Sequence, residues 1–145
     1  MSRKGAFYQL VYHFTWSTKN RLPLITPEVE ARLYAYITNK CRELDYRLHA
    51  INGMTDHTHA LLSLKPTHVV AEVAKNLKGA SSHYINKQSG LDATLYWQDG
   101  YGVVTLRESE IPQVVRYIKN QKEHHRENTL SDLLEKFDET ENGGT

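Results

Sequence analysis

The 145-residue chain holds a single cysteine, Cys41, with four prolines and eight glycines. One cysteine excludes an intramolecular disulfide, a cysteine-rich zinc site and a CxxC redox motif. No apolar run approaches the ~18 residues that a membrane helix needs. The opening MSRKGAFYQL lacks the apolar stretch of a secretory signal. The expectation is therefore a soluble, cytoplasmic protein with no membrane partner. There is also no GxxxxGK[ST] loop to cradle ATP and no HExxH pair to hold zinc.

The length suits one domain, since domains run ~100–200 residues, and a chain of this size buries an ordinary core without staples. The net charge of +1 hides an asymmetry. Residues 127–145 carry six acids (Glu127, Asp132, Glu135, Asp138, Glu139, Glu141) against Lys136. Residues 1–126 are left with 17 Lys and Arg against 11 Asp and Glu. A basic body with an acidic tail admits nucleic acid as a partner, and equally a solvated surface with a frayed end.

Residues 7–18 alternate. Tyr8, Leu10, Tyr12, Phe14 and Trp16 share one face, and Gln9, Val11, His13, Thr15 and Ser17 the other, which predicts a strand. Thr26 suits a helix N-cap and Pro27 the first helical position. Val29, Leu33, Ile37, Cys41 and Leu44 then recur near every fourth residue. This stripe predicts a helix to about Leu44 with Cys41 as a small core residue. Residues 47–54 and 57–64 form two short strand candidates around a turn-like Asn52-Gly53 and Asp56. A second helix is expected from Val69 to about Lys87, stopped by Ser89-Gly90. An aromatic, glycine-punctuated segment (YWQDGYGVVTL) ends in a strand. A third helix is expected from Ser109 to about Asn128, and a short one over 130–137 before the acidic end. The order β α β β α β α predicts an α+β domain: a ferredoxin-like antiparallel sheet, two backing helices and an added C-terminal helix. Residues 1–128 form the body; 129–145 form the short helix and acidic tail.

Two pairs of residues can carry chemistry. His57 and His59 lie two apart on a strand, so both imidazoles point to one face. Tyr117 and Gln121 are four apart on a helix and share a side. Either pair alone suits a polar surface. A third alternating histidine, which a histidine-triad hydrolase would use, is replaced by Leu61. His13, His49, His68 and His83 show no partner at a telling spacing and are expected to be structural. His124 and His125 are expected at the surface. Tyr96, Trp97 and Tyr101 suit core packing or base stacking.

Taken together, an HxH strand followed by YxxxQ on a helix resembles the single-tyrosine HUH transposases of small insertion sequences. The segments YHFTWSTKNRLPL, LKGASSHYIN, YWQDGYG and YIKNQKEHH are similar to that family as well. The resemblance covers about residues 7–128. Thr58 departs from it, standing where the family has an apolar residue. It points away from the two histidines, so it can occupy the buried side if its hydroxyl finds a partner.

The resemblance implies Tyr117 as the nucleophile and a divalent cation (Mg or Mn) held by His57, His59 and Gln121. It further implies cleavage and rejoining of single-stranded or hairpin DNA through a 5′-phosphotyrosine. In a homodimer of this family the tyrosine of one subunit often joins the histidines of the other. Arg116, Lys119, Lys122 and Arg126 are candidate DNA contacts. A domesticated DNA-binding protein of the same fold is the alternative, and a metal-dependent phosphohydrolase a third reading.

Overall fold

A computed structural model describes residues 5–88, 90–91, 94–127 and 130–136. The aromatic alternation forms β1 (Leu10–Ser17), and α1 (Pro27–Glu43) follows. Thr26 caps α1 by accepting a hydrogen bond from the Val29 amide at 3.3 Å. The helix buries Val29, Leu33, Ile37 and Cys41, the stripe expected from spacing. β2 (Arg47–Met54) and β3 (His57–Leu64) form a hairpin, followed by α2 (Val70–Asn86) and β4 (Gly102–Leu106). The Ser89 of the expected helix stop lies outside the described residues.

The turn of the β2–β3 hairpin is Thr55-Asp56, not Asn52-Gly53. Asn52 pairs with His59 and Gly53 with Thr58 inside the ladder. Gly53 is required there by a close approach, since a Cβ would stand 2.1 Å from the His57 carbonyl oxygen.

The strands order β2-β3-β1-β4, and every pairing is antiparallel. One face of the sheet carries Phe14, Trp16, Ala60 and Leu62 and is covered by α1 and α2 through Leu33, Ile37, Val73 and Leu77. Each large aliphatic side chain buried in this way contributes about 1.5–3 kcal/mol. Thr58 lies on this face, fully buried, and shares a hydrogen bond with Tyr34 Oη at 3.2 Å. The opposite face carries Val11 and Leu61, packed against Val114, Ile118 and Leu134. No helix among the described residues is long and apolar enough to cross a membrane.

The C-terminal part departs from expectation in two ways. The single helix predicted over 109–128 is a 3-10 turn (Glu108–Glu110), then α3 (Ile111–Lys119) and α4 (Gln121–Glu127). Asn120 separates α3 from α4 at φ −99°, ψ 24°. Asn52 explains the break. Its Nδ2 donates to the carbonyls of Ile118 and Lys119, each at 3.1 Å, occupying acceptors that a continuous helix would use. The predicted short helix is, over 130–136, one hydrogen-bonded turn closed by Glu135 N–H on the Ser131 carbonyl at 3.0 Å. Residues 137–145 of the predicted acidic end lie outside the described residues.

Candidate active site

The β1–β3 register pairs Ser17 with His57, Thr15 with His59 and His13 with Leu61. Directly opposed residues share a face, so the alternation of β1 delivers His13 and Thr15 beside the two histidines of β3. The α3–α4 segment closes over them. His13, Thr15, His57, His59 and Gln121 are all buried.

Glu135 is the hub. Its Oε1 lies 3.2 Å from His57 Nε2 and 3.2 Å from His59 Nε2. Its Oε2 accepts from the Tyr117 hydroxyl and from Gln121 Nε2 at 3.1 Å. Burial works to raise its pKa, but the bonds from His57 and His59 prevail and hold the carboxyl well below the usual range.

The two histidines differ in charge. His57 Nδ1–H donates to Asp56 Oδ1 at 2.8 Å, and its Nε2–H faces Gln121 Oε1 at 3.1 Å. Burial disfavours its cation, yet Asp56 and Glu135 outweigh this and lift its pKa to about 9. For His59, burial dominates and lowers the pKa. Behind it His13 Nε2 lies 2.9 Å from His59 Nδ1, and Thr15 Oγ1 lies 3.2 Å away. Burial, then the neighbouring His59, brings His13 down to about 3, so it is a neutral partner. Tyr117 is pushed up to about 12, first by burial and then by its bond to Glu135.

Of the residues expected from sequence, His57, His59, Tyr117 and Gln121 converge here, although Asn120 interrupts the helix between the last two. Tyr117 reaches the histidines of its own chain, its ring 6.2 Å from that of His59.

Four further residues join them. His13 was expected to be structural, and Glu135 was read only as part of an acidic tail. His125, expected at the surface, donates through Nε2 to Gln121 Oε1 at 2.7 Å. His124 stacks on the Tyr117 ring with centroids 4.6 Å apart. The one available signal was the placement of His13 and Thr15 on the polar face of β1.

Arg116, Lys119, Lys122 and Arg126 are exposed. Lys122 is engaged within the fold, donating to Glu30 at 2.8 Å and Asn52 at 3.0 Å. Arg126 bonds to Glu123 on its own helix.

His57, His59 and Glu135 each offer a ligand atom, all within 4.8 Å of one another. Two imidazole nitrogens and a carboxylate oxygen, with the Gln121 amide oxygen beside them, are a donor set that fits a divalent cation.

The family described as IS200-like transposases matches residues 6–121. The ISDra2 transposase TnpA of Deinococcus radiodurans is 29% identical over 123 residues, covering 81% of this chain and 88% of that protein. A crystal structure of a candidate transposase from Deinococcus radiodurans R1 superimposes with a TM-score of 0.65 at 31% identity, over 83% of this chain and 97% of that one. A REP-associated tyrosine transposase bound to a REP hairpin shares the fold, with a TM-score of 0.62 at 19% identity, over 86% of this chain and 74% of that one. With the family match spanning most of its length, the chain belongs to the IS200-like, single-tyrosine HUH transposases.

Proposed function

We propose that this transposase cleaves and rejoins single-stranded DNA through a covalent bond between Tyr117 and a DNA 5′-phosphate. The observation that carries the reading is the convergence of the Tyr117 hydroxyl, His57, His59 and Gln121 around one carboxylate. Tyr117 Oη attacks phosphorus, the bond to the 3′ oxygen breaks, and the 3′ oxygen leaves as a free hydroxyl once protonated. As the new P–O bond forms, the phenolic proton passes to Glu135 Oε2, already bonded to the phenol, and from there to the departing 3′ oxygen. The phosphotyrosine conserves the ester bond, so a second 3′-hydroxyl can reverse the step without ATP.

His57, His59, Gln121 and Glu135 are the residues that would hold Mg or Mn. When bound, such a cation supplies charge stabilisation and orientation at a non-bridging phosphate oxygen. Asp56 and His13 fix the rings of His57 and His59 from behind.

The substrate class draws support from the relative of similar fold that binds a REP hairpin; a hairpin-bearing single strand is the corresponding substrate here. Exposed Arg116 and Lys119 are the available phosphate contacts among the four basic residues expected from sequence. A homodimer of such chains with composite active sites, acting in the cytoplasm, is the assembly that this reading implies.

The test is electrophoresis of the protein with labelled single strands spanning the ends of its own element. The wild type forms a denaturant-resistant protein–DNA adduct, and Tyr117→Phe binds the strand without forming one. An adduct that survives Tyr117→Phe removes Tyr117 as the nucleophile. Binding by wild type without any adduct favours the alternative, a domesticated DNA-binding protein.

A further inference from the structure

The segments LKGASSHYIN and YWQDGYG contribute no side chain to the Tyr117 site, yet the fold brings them together. Residues of α2 and of the 94–101 loop wall a cavity of about 780 Å³. Its aromatic wall is anchored to the sheet face turned away from the histidines. Trp97 meets Trp16 edge-on at 5.9 Å, and Tyr101 lies 6.2 Å from Phe14.

The walls are preformed. Trp97 Nε1 donates to the Lys78 carbonyl at 2.9 Å. Lys78 Nζ donates to the carbonyls of Gln98 and Gly100, at 2.8 and 2.7 Å. Loop and helix are thus clasped around the space rather than collapsed into it.

Gly79 faces that space from the interior of α2. Glycine in mid-helix is a destabilising choice, and here the protein's own packing does not require it: an added Cβ would meet nothing within 4 Å. The bare backbone keeps the cavity open. At the mouth Tyr96 is 59% exposed, and Lys19, Lys75 and Lys78 line the cavity against the single acid Asp99. An aromatic platform with cationic surroundings is the chemistry that receives a base and its phosphate.

The chain at the end of β1 links the cavity to the candidate active site. Thr18, one residue beyond the Ser17–His57 pair, donates its amide hydrogen to the Asp56 carbonyl at 2.9 Å. The Lys19 amide donates to the Tyr96 carbonyl at 2.9 Å.

We propose that this cavity takes one unpaired nucleotide of the DNA strand, its base stacked on Tyr96 and its phosphate held by Lys19 and Lys75. The proposal rests on the DNA reading above, and its test separates the two. Gly79→Leu fills the space with a strong helix former, and exposed Tyr96→Ala removes the platform without touching the core. The probe is a fluorescein-labelled random-sequence single-stranded 20-mer, measured in chelator so that no cleavage occurs.

Each variant is expected to weaken single-strand binding about tenfold, while its Mn²⁺ affinity, read by electron paramagnetic resonance, stays at the wild-type value. Unchanged strand affinity in both folded variants overturns the cavity and leaves adduct formation by Tyr117 intact. A wild type that neither binds the strand nor forms an adduct overturns both readings. A wild-type cavity that binds free dAMP as tightly as the 20-mer overturns the strand assignment in favour of a free nucleotide.

Discussion

Tyr117 donates a hydrogen bond to Glu135, 18 residues further on, and its oxygen accepts one from the Ser131 amide at 2.9 Å. The candidate nucleophile is therefore also one of the ties that hold the 130–136 turn over the site. Leu134 adds an apolar anchor among Val11, Leu61 and Ile118. Tyr117→Phe removes these two polar ties, a loss of about 0.5–1.5 kcal/mol for each bond, and leaves those of Glu135 to His57, His59 and Gln121 and of Thr15 to the Leu134 carbonyl. Hydrogen exchange should accelerate at Ser131 and its neighbours by roughly tenfold or more, with the amides of β1 and β3 unchanged. Wild-type protection of 130–136 in this variant would contradict the tie.

His13 stands behind His59 as Asp56 stands behind His57. A His59 that ligates through Nε2 must carry its proton on Nδ1, and His13 Nε2, 2.9 Å away, is placed to accept it. The same neutral pair can exchange donor and acceptor roles when His59 instead donates to Glu135. His13→Phe keeps an aromatic ring and loses the acceptor, so Mn²⁺ affinity should fall about 10–100-fold. Excess EDTA should abolish the adduct altogether. Titration by electron paramagnetic resonance reads the first effect, and an unchanged affinity would make His13 a packing residue only.

The two histidines of β3 also predict a pH dependence for the metal-free protein. Asp56 and Glu135 hold the His57 pKa up at about 9 in the fold, against 6.5 for a free histidine side chain. A raised pKa contributes stability that is complete below pH 6.5 and disappears as pH rises through 9. Asp56, Glu135, His59 and His125 face it. The carboxylates are ionised throughout that window. His59 and His125, both lowered, are neutral in folded and unfolded states above pH 6.5. The urea midpoint in EDTA should therefore fall from pH 6.5 to 9, by a loss on the order of a few kcal/mol. His57→Gln should flatten that slope, and an equal slope in the variant would remove His57 as its source.

The sheet and half of the site were legible because they rest on short-range patterns. Alternation defined β1, the four-residue stripe defined α1, and the HxH spacing placed two imidazoles on one face. Even Thr58, a departure from the family pattern, turned to the buried side as strand geometry requires and bonded Tyr34. What escaped depends on long-range pairing. His13 meets His59 only through the β1–β3 register, 46 residues apart. Glu135 sits in an acidic stretch with no periodicity to separate one carboxylate from its neighbours. The break between Tyr117 and Gln121 is set by Asn52 on another strand, so helix propensity along 109–128 carries no trace of it.

That break yields the last prediction. Asn52 Nδ2 bonds the carbonyls of Ile118 and Lys119, and its Oδ1 accepts from Lys122 Nζ at 3.0 Å. One side chain thus fixes the junction on whose two sides Tyr117 and Gln121 stand. Asn52→Ala removes two side-chain hydrogen bonds to these carbonyls, about 0.5–1.5 kcal/mol each, and frees α3 to run on into α4. Gln121 would then turn relative to Tyr117, and the two could no longer meet on the same Glu135 oxygen. The expected outcome is a folded protein with lower melting temperature and an adduct rate reduced more than strand binding, since Asn52 contacts neither Tyr117 nor the histidine nitrogens. Asn52→Asp separates geometry from stability. It keeps the acceptor for Lys122 but sets a carboxylate against two carbonyls, so it should lose the adduct at least as severely as Asn52→Ala. An Asn52→Asp protein with wild-type adduct rate would show that the junction does not position the nucleophile.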